Sequence, residues 1–511
     1  MGRSSRDESV PDFGEGVDPS IIPEGGLLSG HVRGEPALMT RIGAEIFVFG
    51  AHCSHYHAPL AYGLLTGETV RCPWHHACFD IRTGRALRAP AFAALTVWRV
   101  EWEGAKVFAR EKLKATGKPA APAPAGGPRA IVVVGAGAAG FAAAHALRAE
   151  GYDGALTLVG ADPAAPYDRP NLSKDYLAGT APPEWLPLCD PAYFGAQKIE
   201  MRLGRRVAAL DPATKQIVLD DGERLAFDAA LLATGAEPIR LPTLGADGPN
   251  VHYLRSLADS DALIGAAKGA RRAAVIGASF IGLEVAAALR ARGLDVHVIA
   301  PEALPMERIL GPQLGRFVQS LHESHGVVFH LGDAAARIEA GAVALASGGK
   351  VDADIVAIGV GVRPAVALAE QAGLAVDGGV VVDEYLQTSA PGIYAAGDIA
   401  RWPDRLSGER IRVEHWVVAQ RQGQTAARNM LGRRERFDAA PFFWSQHYDA
   451  AISYIGHAPS WDRAEMDGDP ASGGCVVSYY RAGRKLAVET LFRDLDSLRA
   501  EVEFERALAA L

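Results

Sequence analysis

A strand–glycine–helix signature occurs twice in this chain and limits its fold more than any other feature. In the first copy, four β-branched residues precede Gly135, Gly137 and Gly140, which form G-x-G-x-x-G at the start of a helical stretch. The first glycine permits the turn, the second lets a pyrophosphate touch the backbone, and the third lets helix and strand pack closely. A second copy is formed by Gly277, Ser279 and Gly282. Two copies predict two Rossmann-like α/β domains and two bound dinucleotides, for which FAD and a nicotinamide are the expected pair.

Acidic residues follow the second strand of each unit, where such a residue usually binds the ribose hydroxyls. The strand "ALTLVG" is followed by Ala161 and then Asp162, and the strand "VHVIA" by Pro301 and then Glu302. Each acid therefore comes about one position late. No arginine lies at 299–303 to receive a 2′-phosphate, which favours NADH over NADPH. Arg308 is close enough in the sequence that NADPH stays open as the alternative.

Four residues near the N-terminus have the spacing of metal ligands. Cys53 and His55 form C-x-H, and Cys72 and His75 form C-x-x-H. Two thiolates on one iron and two imidazoles on the other are the ligands of a Rieske [2Fe–2S] cluster. Zinc also accepts two cysteines and two histidines, but its usual pattern is a CxxC pair and a separate HxxxH pair. The mixed pairs favour iron and predict an iron–sulfur electron carrier.

The composition excludes several other classes of protein. The 511 residues carry a net charge of −8, which argues against a nucleic-acid partner, and only five cysteines, which argues against a secreted disulfide framework. The N-terminus is polar and acidic, unlike a signal peptide. The longest apolar stretch, from Ile131 to Leu147, is broken by three glycines and reads as strand, turn and helix. We expect a cytoplasmic protein without a membrane span.

The order of these patterns predicts a multidomain chain. Its fold class would be an all-β Rieske domain, two Rossmann-like α/β domains and a small α+β C-terminal domain. A Pro-, Ala- and Gly-rich stretch marks the boundary after the first domain. The predicted bounds are 1–19 for a disordered N-terminal segment, 20–112 for the Rieske domain, 113–128 for the linker, 129–250 with 376–435 for FAD binding, 251–375 for NAD(P)H binding, and 436–511 for the C-terminal domain.

The chain resembles a known family of flavoproteins from residue 129 onward. The segments "PYDRPNLSK", "LLATGAEP", "YAAGDIA", "VEHWVVAQRQG" and "PFFWSQHY" follow one another as they do in the two-dinucleotide reductases of aromatic-ring dioxygenases. With the Rieske pattern in front, the whole is similar to the Rieske-containing, apoptosis-inducing-factor-like branch of ferredoxin reductases. In that family the C-terminal piece packs on the flavin side and often supports dimerisation, so the resemblance implies a homodimer as one expectation.

The resemblance also implies roles for individual residues. It places Arg169 and Lys174 against the FAD, with Lys174 near the reactive edge of the flavin. Residues predicted to complete the FAD site are Thr234, Gly235, Gly397, Asp398 and Trp444. Residues predicted to frame the meeting point of nicotinamide and flavin are Glu284, Glu414, His415 and Trp416. The predicted catalytic set is Lys174, Glu284, Glu414 and Trp416.

These expectations combine into one redox path, with alternatives. NADH carries two electrons as a hydride and a [2Fe–2S] cluster accepts one, and a flavin converts between them. The expected path runs from NAD(P)H through FAD to the cluster and on to a ferredoxin, an oxygenase or a cytochrome P450. The alternative is a non-catalytic, NADH-linked redox sensor. A thiol-using reductase would need a reactive cysteine at the flavin, where the sequence has Lys174 instead.

Overall fold

The computed structural model describes residues 10–114 and 127–511, and these form two compact units. The first unit contains the described part of residues 1–123 together with 149–151 and 494–506, so both ends of the chain contribute to it. The second unit contains the described part of 124–148, 152–493 and 507–511. The predicted domain bounds remain predictions.

The first unit is built on two antiparallel sheets. Alternating apolar residues, as in "EIFVFG", form strands that bury one face in clusters around Phe49 and Phe79 and around Phe13 and Trp98. The larger sheet has the strand order Leu28–Val32, Glu35–Ile42, Glu45–Gly50, Val97–Glu103 and Lys106–Leu113. The smaller sheet has the order Leu64–Thr66, Thr69–Arg71, Cys78–Asp80 and Ala86–Arg88. Short 3-10 turns cover Pro19–Ile21 and Leu60–Tyr62.

The disorder predicted for residues 1–19 is wrong for residues 10–19. Phe13 and Val17 are buried at 0% and 4% exposure. The amide of Phe13 donates to His31 O, and Val17 exchanges backbone hydrogen bonds with Val107. Two apolar side chains and these backbone bonds stabilise the segment against the larger sheet. Residues 1–9, and the part of the predicted linker at 115–126, lie outside the described residues.

A helix from the far end of the sequence completes the first unit. It runs Asp494–Ala510, and residues 494–506 of it belong to that unit. The buried guanidinium of Arg71 contacts Glu501 at 2.8 Å and Glu505 at 2.6 Å. His76 Nε2 is 3.0 Å from Ser497 Oγ. We call Asp494–Ala510 the terminal helix.

Two parallel sheets organise the second unit and confirm the predicted fold class. Runs of buried Val, Ile, Leu and Ala form their central strands, as expected for strands covered on both faces. The first sheet has the order Glu200–Leu203, Ala155–Gly160, Ala130–Val134, Ala229–Leu232 and Ile393–Ala395. The second has the order Val251–Tyr253, Ile355–Ile358, Arg272–Ile276, Asp295–Ala300 and Val327–Leu331. The helices Ala138–Ala149 and Phe280–Ala291 follow the two glycine signatures.

Smaller elements surround these sheets. The further helices are Asp175–Ala178, Ala192–Ala196, Leu257–Ala267, Glu307–Ser324, Ala367–Gln371 and Trp416–Met430, with 3-10 turns at Arg169–Ser173 and Pro183–Trp185. Antiparallel three-stranded sheets comprise Val207–Asp211, Gln216–Leu219 and Arg224–Ala226, and Ala335–Glu339, Ala342–Leu345 and Lys350–Asp352. Val380–Val381, Ala400–Pro403 and Arg410–Ile411 form a mixed sheet, and Ala236–Pro238 pairs with Val362–Pro364.

An antiparallel sheet follows the helix Trp416–Met430. Its strand order is Phe442–His447, Ala450–Gly456, Arg484–Leu491, Gly474–Arg481 and Arg463–Asp469. Residues of this sheet share an apolar core with the helix Phe280–Ala291. None of the helices in residues 10–114 and 127–511 has the length and hydrophobicity needed to span a lipid bilayer.

Candidate functional site

The four predicted cluster ligands lie on two loops with the same backbone pattern. In the first loop Cys53 N donates to Ala58 O, five residues on, at 2.9 Å. In the second loop Cys72 N donates to Ala77 O, again five residues on, at 2.8 Å. Each loop is flanked by strands or a 3-10 turn of the first unit, and these elements fix its two ends. The local sequence therefore builds two matching cradles.

The side chains of these loops converge and fit a cluster. The thiols of Cys53 and Cys72 are in hydrogen-bonding contact, and the rings of His55 and His75 are 5.1 Å apart between centroids. His55 Nδ1 is buried without a hydrogen-bond partner among the described residues, and burial lowers the pKa of His55 to about 4, which keeps it in the neutral, ligating form. Within the described parts of the chain, no three His, Cys, Asp or Glu side chains surround a single ion position. A two-iron cluster takes two protein ligands per iron.

A large cavity in the second unit collects most of the other predicted residues. Its volume is about 1380 Å³, enough for large organic ligands. Predicted site residues that line it are Gly135, Gly137, Asp162, Arg169, Lys174, Thr234, Gly235, Ser279, Glu284, Gly397, Asp398, Glu414, His415, Trp416 and Trp444. None of the cysteines in the described residues is among the lining residues.

The first glycine signature is fixed by close backbone contacts. Gly135 has φ +112°, and a Cβ atom there would lie 2.1 Å from Ala233 O. A Cβ atom on Gly140 would lie 1.7 Å from Gly135 O. Only glycine satisfies both positions. The resulting turn aims the N-terminus of the helix Ala138–Ala149, with its unpaired amides, at the cavity, which suits a pyrophosphate.

Arg169 supplies a cation beside that turn. A Cβ atom on Gly137 would lie 3.6 Å from its guanidinium, and its Nε is buried without a hydrogen-bond partner among the described residues. Burial and the nearby charge of Arg255 lower the pKa of Arg169. A buried, partly unpaired guanidinium fits an anionic ligand such as the FAD pyrophosphate. Asp162, on the same rim, accepts from the Tyr167 hydroxyl at 2.7 Å.

Thr234 lies where the chain leaves the first parallel sheet for the second, and Asp398 follows Ile393–Ala395, the last strand of the first sheet in chain order. Asp398 Oδ2 is 2.8 Å from Arg255, and Arg412 donates to Asp398 O at 3.0 Å. Thr234 Oγ1 donates to Ala365 O at 2.8 Å. These contacts hold both residues at the cavity wall, Asp398 with its carboxylate already balanced by a cation.

Lys174 and Glu284 form a buried ion pair at the cavity. Lys174 Nζ is 2.8 Å from Glu284 Oε2, and Glu284 is 3% exposed. Ser173 donates to Glu284 Oε2 at 2.5 Å and Ser445 donates to Glu284 Oε1 at 2.6 Å. Both carboxylate oxygens are therefore satisfied, as a buried charge requires.

The predicted nicotinamide side combines a carboxylate with aromatic rings. Arg412 donates to Glu414 at 2.5 Å, while burial raises the pKa of Glu414. His415 packs 4.5 Å from the Phe443 ring, and burial lowers the pKa of His415 to about 3, so its ring is neutral. Trp416 begins the helix Trp416–Met430, and its Nε1 is buried without a hydrogen-bond partner among the described residues. Flat rings and an open indole donor suit a flat heterocycle.

The remaining predicted residues lie outside the cavity lining. Gly140 packs under the first turn. Gly277 and Gly282 pack in the same way against Gly359 and each other, with φ +109° at Gly277. Glu302 follows the strand Asp295–Ala300 and lies 3.9 Å from Arg308. The ribose role of Glu302, like the other site roles, remains a prediction.

The structure also places residues at the site that the sequence analysis did not select. Arg255 pairs with the Asp398 carboxylate, Arg412 donates to the backbone carbonyl oxygen of Asp398, and the Ser445 hydroxyl donates to Glu284. Ser445 and His447 are two positions apart in the strand Phe442–His447, so both face one side of the sheet. Gln446 between them is also polar, so the sequence has no alternation that marks these two residues.

Comparison with known proteins identifies the families to which the parts of the chain are similar. The family described as pyridine nucleotide-disulphide oxidoreductase matches residues 129–423, the Rieske [2Fe-2S] domain matches 17–99, and the reductase C-terminal domain matches 442–507. Human apoptosis-inducing factor 3 is 32% identical over 89% of this chain and 78% of its own length. The ferredoxin–NAD(+) reductase component of the Burkholderia cepacia anthranilate 1,2-dioxygenase system is 39% identical over 68% of this chain and 86% of its own length.

A solved structure gives the same result. The covalent putidaredoxin reductase–putidaredoxin complex is 34% identical, with a TM-score of 0.72 over 74% of this chain and 93% of that one. Fold, site and comparisons define a flavoprotein oxidoreductase that uses NAD(P)H. The chain belongs to the pyridine nucleotide-disulphide oxidoreductase family, in its ferredoxin reductase-like form, and carries a Rieske domain. Its cofactors are FAD, a pyridine nucleotide and a Rieske [2Fe–2S] cluster, which confirms the predicted set.

Proposed function

We propose that the protein passes electrons from NADH through FAD to its own Rieske cluster and then to a separate one-electron acceptor. One observation carries this proposal. A single chain contains both the cavity that residues of the two glycine signatures line and the two loops that hold the four predicted cluster ligands. Bound FAD accepts a hydride and releases single electrons, which matches a two-electron donor to a one-electron cluster.

The cavity residues have distinct parts in this proposal. Arg169 and the glycine turn would hold the pyrophosphate, and Asp398 would contact the ribityl chain. Lys174 and Glu284 would lie at the reactive edge of the flavin, and Glu414 and Trp416 would orient the nicotinamide against it. The protein's own contribution is positioning and exclusion of water, since no ionised acid–base pair is needed for hydride transfer.

The relatives support a proposal for the nature of the acceptor. Those named above include a ferredoxin–NAD(+) reductase component and a reductase in a complex with putidaredoxin. We propose a ferredoxin-type protein, an oxygenase or a cytochrome P450 as acceptor. NADH as the preferred donor, a homodimer and a cytoplasmic location also remain proposals.

The test is anaerobic titration of the holoprotein with NADH. Flavin absorbance and the EPR signal of the cluster are followed together. Bleaching of the flavin with appearance of the cluster signal is expected, and bleaching without any cluster signal contradicts the internal path. The matched control is Cys72→Ser, which should retain FAD and its bleaching but lose the cluster signal. Parallel titration with NADPH measures the donor preference.

A redox sensor is the second candidate, favoured by the 32% identity to apoptosis-inducing factor 3. Turnover separates the two functions. Steady reduction of a ferredoxin or dye by NADH supports the enzyme. A single slow reduction that leaves a long-lived nicotinamide–flavin complex supports the sensor.

A further inference from the structure

A row of hydrogen-bonded side chains leads from Glu284 into the interior. Ser445 Oγ is 2.6 Å from Glu284 Oε1 and 3.1 Å from His447 Nε2. His447 Nδ1 is 3.2 Å from His322 Nε2. Glu284 is 3% exposed, Ser445 1%, and both histidines 0%. We call Glu284, Ser445, His447 and His322 the buried row. The ion pair between Glu284 and Lys174 does not require the other three residues of the row.

The hydrogen bonds of the buried row have one consistent direction. A carboxylate only accepts, so the Ser445 hydroxyl donates to Glu284 and its oxygen accepts from His447 Nε2. A neutral imidazole has one N–H, so His447 Nδ1 accepts from His322 Nε2. His322 Nδ1 is left as an acceptor, and it is buried with no hydrogen-bond partner among the described residues. The row therefore ends in an open proton-acceptor site.

Both histidines are neutral. Burial lowers the pKa of His447 to about 3, assisted by the charge of Lys174. Burial lowers the pKa of His322 to about 2, assisted by His447 and His325. A neutral imidazole donates from one nitrogen and accepts at the other, so it can pass a proton on without holding a charge.

The outer end of the buried row is near the surface. The His322 ring lies 5.1 Å from the Tyr448 ring, and Tyr448 stacks on His325 at 3.6 Å. His325 is exposed. The buried row therefore runs from the cavity at Glu284 to His322. The Tyr448 ring lies between His322 and the exposed His325.

We propose that Ser445, His447 and His322 carry a proton between this outer end and the carboxylate of Glu284. In one concerted passage His322 Nδ1 takes up a proton while its Nε2 proton moves to His447 Nδ1, the Nε2 proton of His447 moves to Ser445 Oγ, and the hydroxyl proton moves to Glu284 Oε1. One proton enters per passage, no heavy-atom bond changes, and the reverse order releases it.

The proton stored on Glu284 has a use in the proposed function, on which this inference rests. When bound, FAD would gain negative charge on taking up two electrons with one proton. In a low-dielectric site that charge is costly beside the ionised carboxylate of Glu284, and a second proton on Glu284 removes this cost. Two protons, rather than one, thus accompany the two-electron reduction of the site, and the buried row carries the second.

Two measurements on the holoprotein, both without NADH, test this inference. The midpoint potential of the flavin against pH counts the protons taken up at equilibrium; we expect two protons per two electrons in the wild type and one in Glu284→Gln, which cannot store the second. Rapid photochemical reduction in the presence of a pH indicator follows the rate of proton uptake. Ser445→Ala removes the hydroxyl link, so we expect it to keep the wild-type slope but to lose the fast phase of proton uptake. Ser445→Thr retains a hydroxyl and should restore that phase, whereas a merely structural role would not depend on the hydroxyl.

Controls keep this result interpretable. Ser453→Ala, in the neighbouring strand and 6% exposed, removes a buried hydroxyl outside the row and should leave both the slope and the fast phase of proton uptake unchanged. The FAD content of each variant shows that it folds. An unchanged fast phase of proton uptake in Ser445→Ala, or a wild-type slope of one proton, overturns the inference. Failure of NADH to reduce the cluster contradicts the proposed function but leaves both measurements possible, so the two failures are distinct.

Discussion

Gly140 has the least room of the three glycines at the first nucleotide signature. A Cβ atom there would lie 1.7 Å from Gly135 O, so Gly140→Ala forces the helix Ala138–Ala149 away from the turn that it anchors. We expect a loss of about 1–3 kcal/mol in the free energy of unfolding, as for overpacked sites, and a lower FAD content. Chemical denaturation and the ratio of flavin to protein measure these effects.

Gly265 provides the matched control for this substitution. It lies within the helix Leu257–Ala267 with no atom within 4 Å of the position of an added Cβ. Gly265→Ala should raise stability by up to about 1 kcal/mol through helix propensity, with unchanged FAD content. Equal behaviour of the two variants would show that the 1.7 Å contact has no role.

Arg169 is the second residue whose contribution can be isolated. Its Nε has no hydrogen-bond partner among the described residues, so an anionic ligand would supply one. A hydrogen bond to a charged group contributes about 1.5–3 kcal/mol, so Arg169→Ala should weaken FAD binding about 10- to 150-fold. Fluorescence titration of the apoprotein with FAD measures the change. Arg202→Ala, which removes a surface pair with Glu223, should bind FAD like the wild type.

Among the elements, the terminal helix makes an unusual contribution to the first unit. Arg71 is 7% exposed at its side chain and pairs with Glu501, whose side chain is 0% exposed. Removal of one partner of a buried pair leaves a charge without compensation and typically costs about 3–5 kcal/mol. Glu501→Ala should therefore lower the unfolding temperature of the first unit, followed through the visible circular dichroism of the cluster. Retained Glu505 limits the loss to the lower part of that range.

A surface ion pair in the same unit is the control. Arg82 contacts Glu68 at 2.6 Å, but both side chains are nearly half exposed. Exposed pairs contribute about 0–1 kcal/mol, so Glu68→Ala should change the unfolding temperature little. If Glu68→Ala and Glu501→Ala have the same effect, the terminal helix does not stabilise the first unit through this pair.

The sequence predicted the elements whose signals are local. Strand, glycine turn and helix lie within about thirty residues of chain, so both nucleotide signatures and the two mixed Cys/His pairs were readable without any structure. Contacts between distant segments were not readable. Arg71 and Glu501 are 430 positions apart, and nothing near Arg71 in the sequence indicates its partner. The order of residues 10–19 was missed because Phe13 and Val17 are two isolated apolar residues in a polar segment.

At the scale of the whole molecule, the fold class, the enzyme class and the cofactors were predictable from the sequence. The hydrogen-bond network that leads away from Glu284 was not. Glu284 was selected from family resemblance, but Ser445, His447 and His322 come from two further elements. Only packing brings them into one row. A hydrogen-bond network is a property of the assembled unit, and for this reason single motifs indicate the cofactor but not how protons reach it.

Several buried histidines determine how the stability of the second unit depends on pH. Burial lowers the pKa of His145 to about 4, of His415 and His447 to about 3, and of His322 to about 2, against an ordinary value of 6.5. The unfolded chain therefore binds protons at these sites at a higher pH than the folded chain does. Their contribution to stability is fully present above pH 6.5 and is lost as the pH falls through 6.5 toward the folded values.

Two buried carboxyl groups act in the opposite direction. Burial raises the pKa of Asp168 to about 7 and that of Glu489 to about 8, so their contributions are fully present below pH 3.8 and pH 4.5 and are lost as the pH rises through 7 and 8. Four histidines outweigh these two carboxyl groups below pH 6.5, and of the six only the carboxyl groups act above it. We therefore expect maximal stability near pH 6.5, a steep loss toward pH 5 and a shallow loss toward pH 8. Urea unfolding followed by flavin fluorescence, which reports on the second unit, measures this profile. His145→Phe, which retains an aromatic ring beside Phe141 and Tyr193, should make the acid limb shallower; an acid limb of unchanged slope would remove His145 from this account.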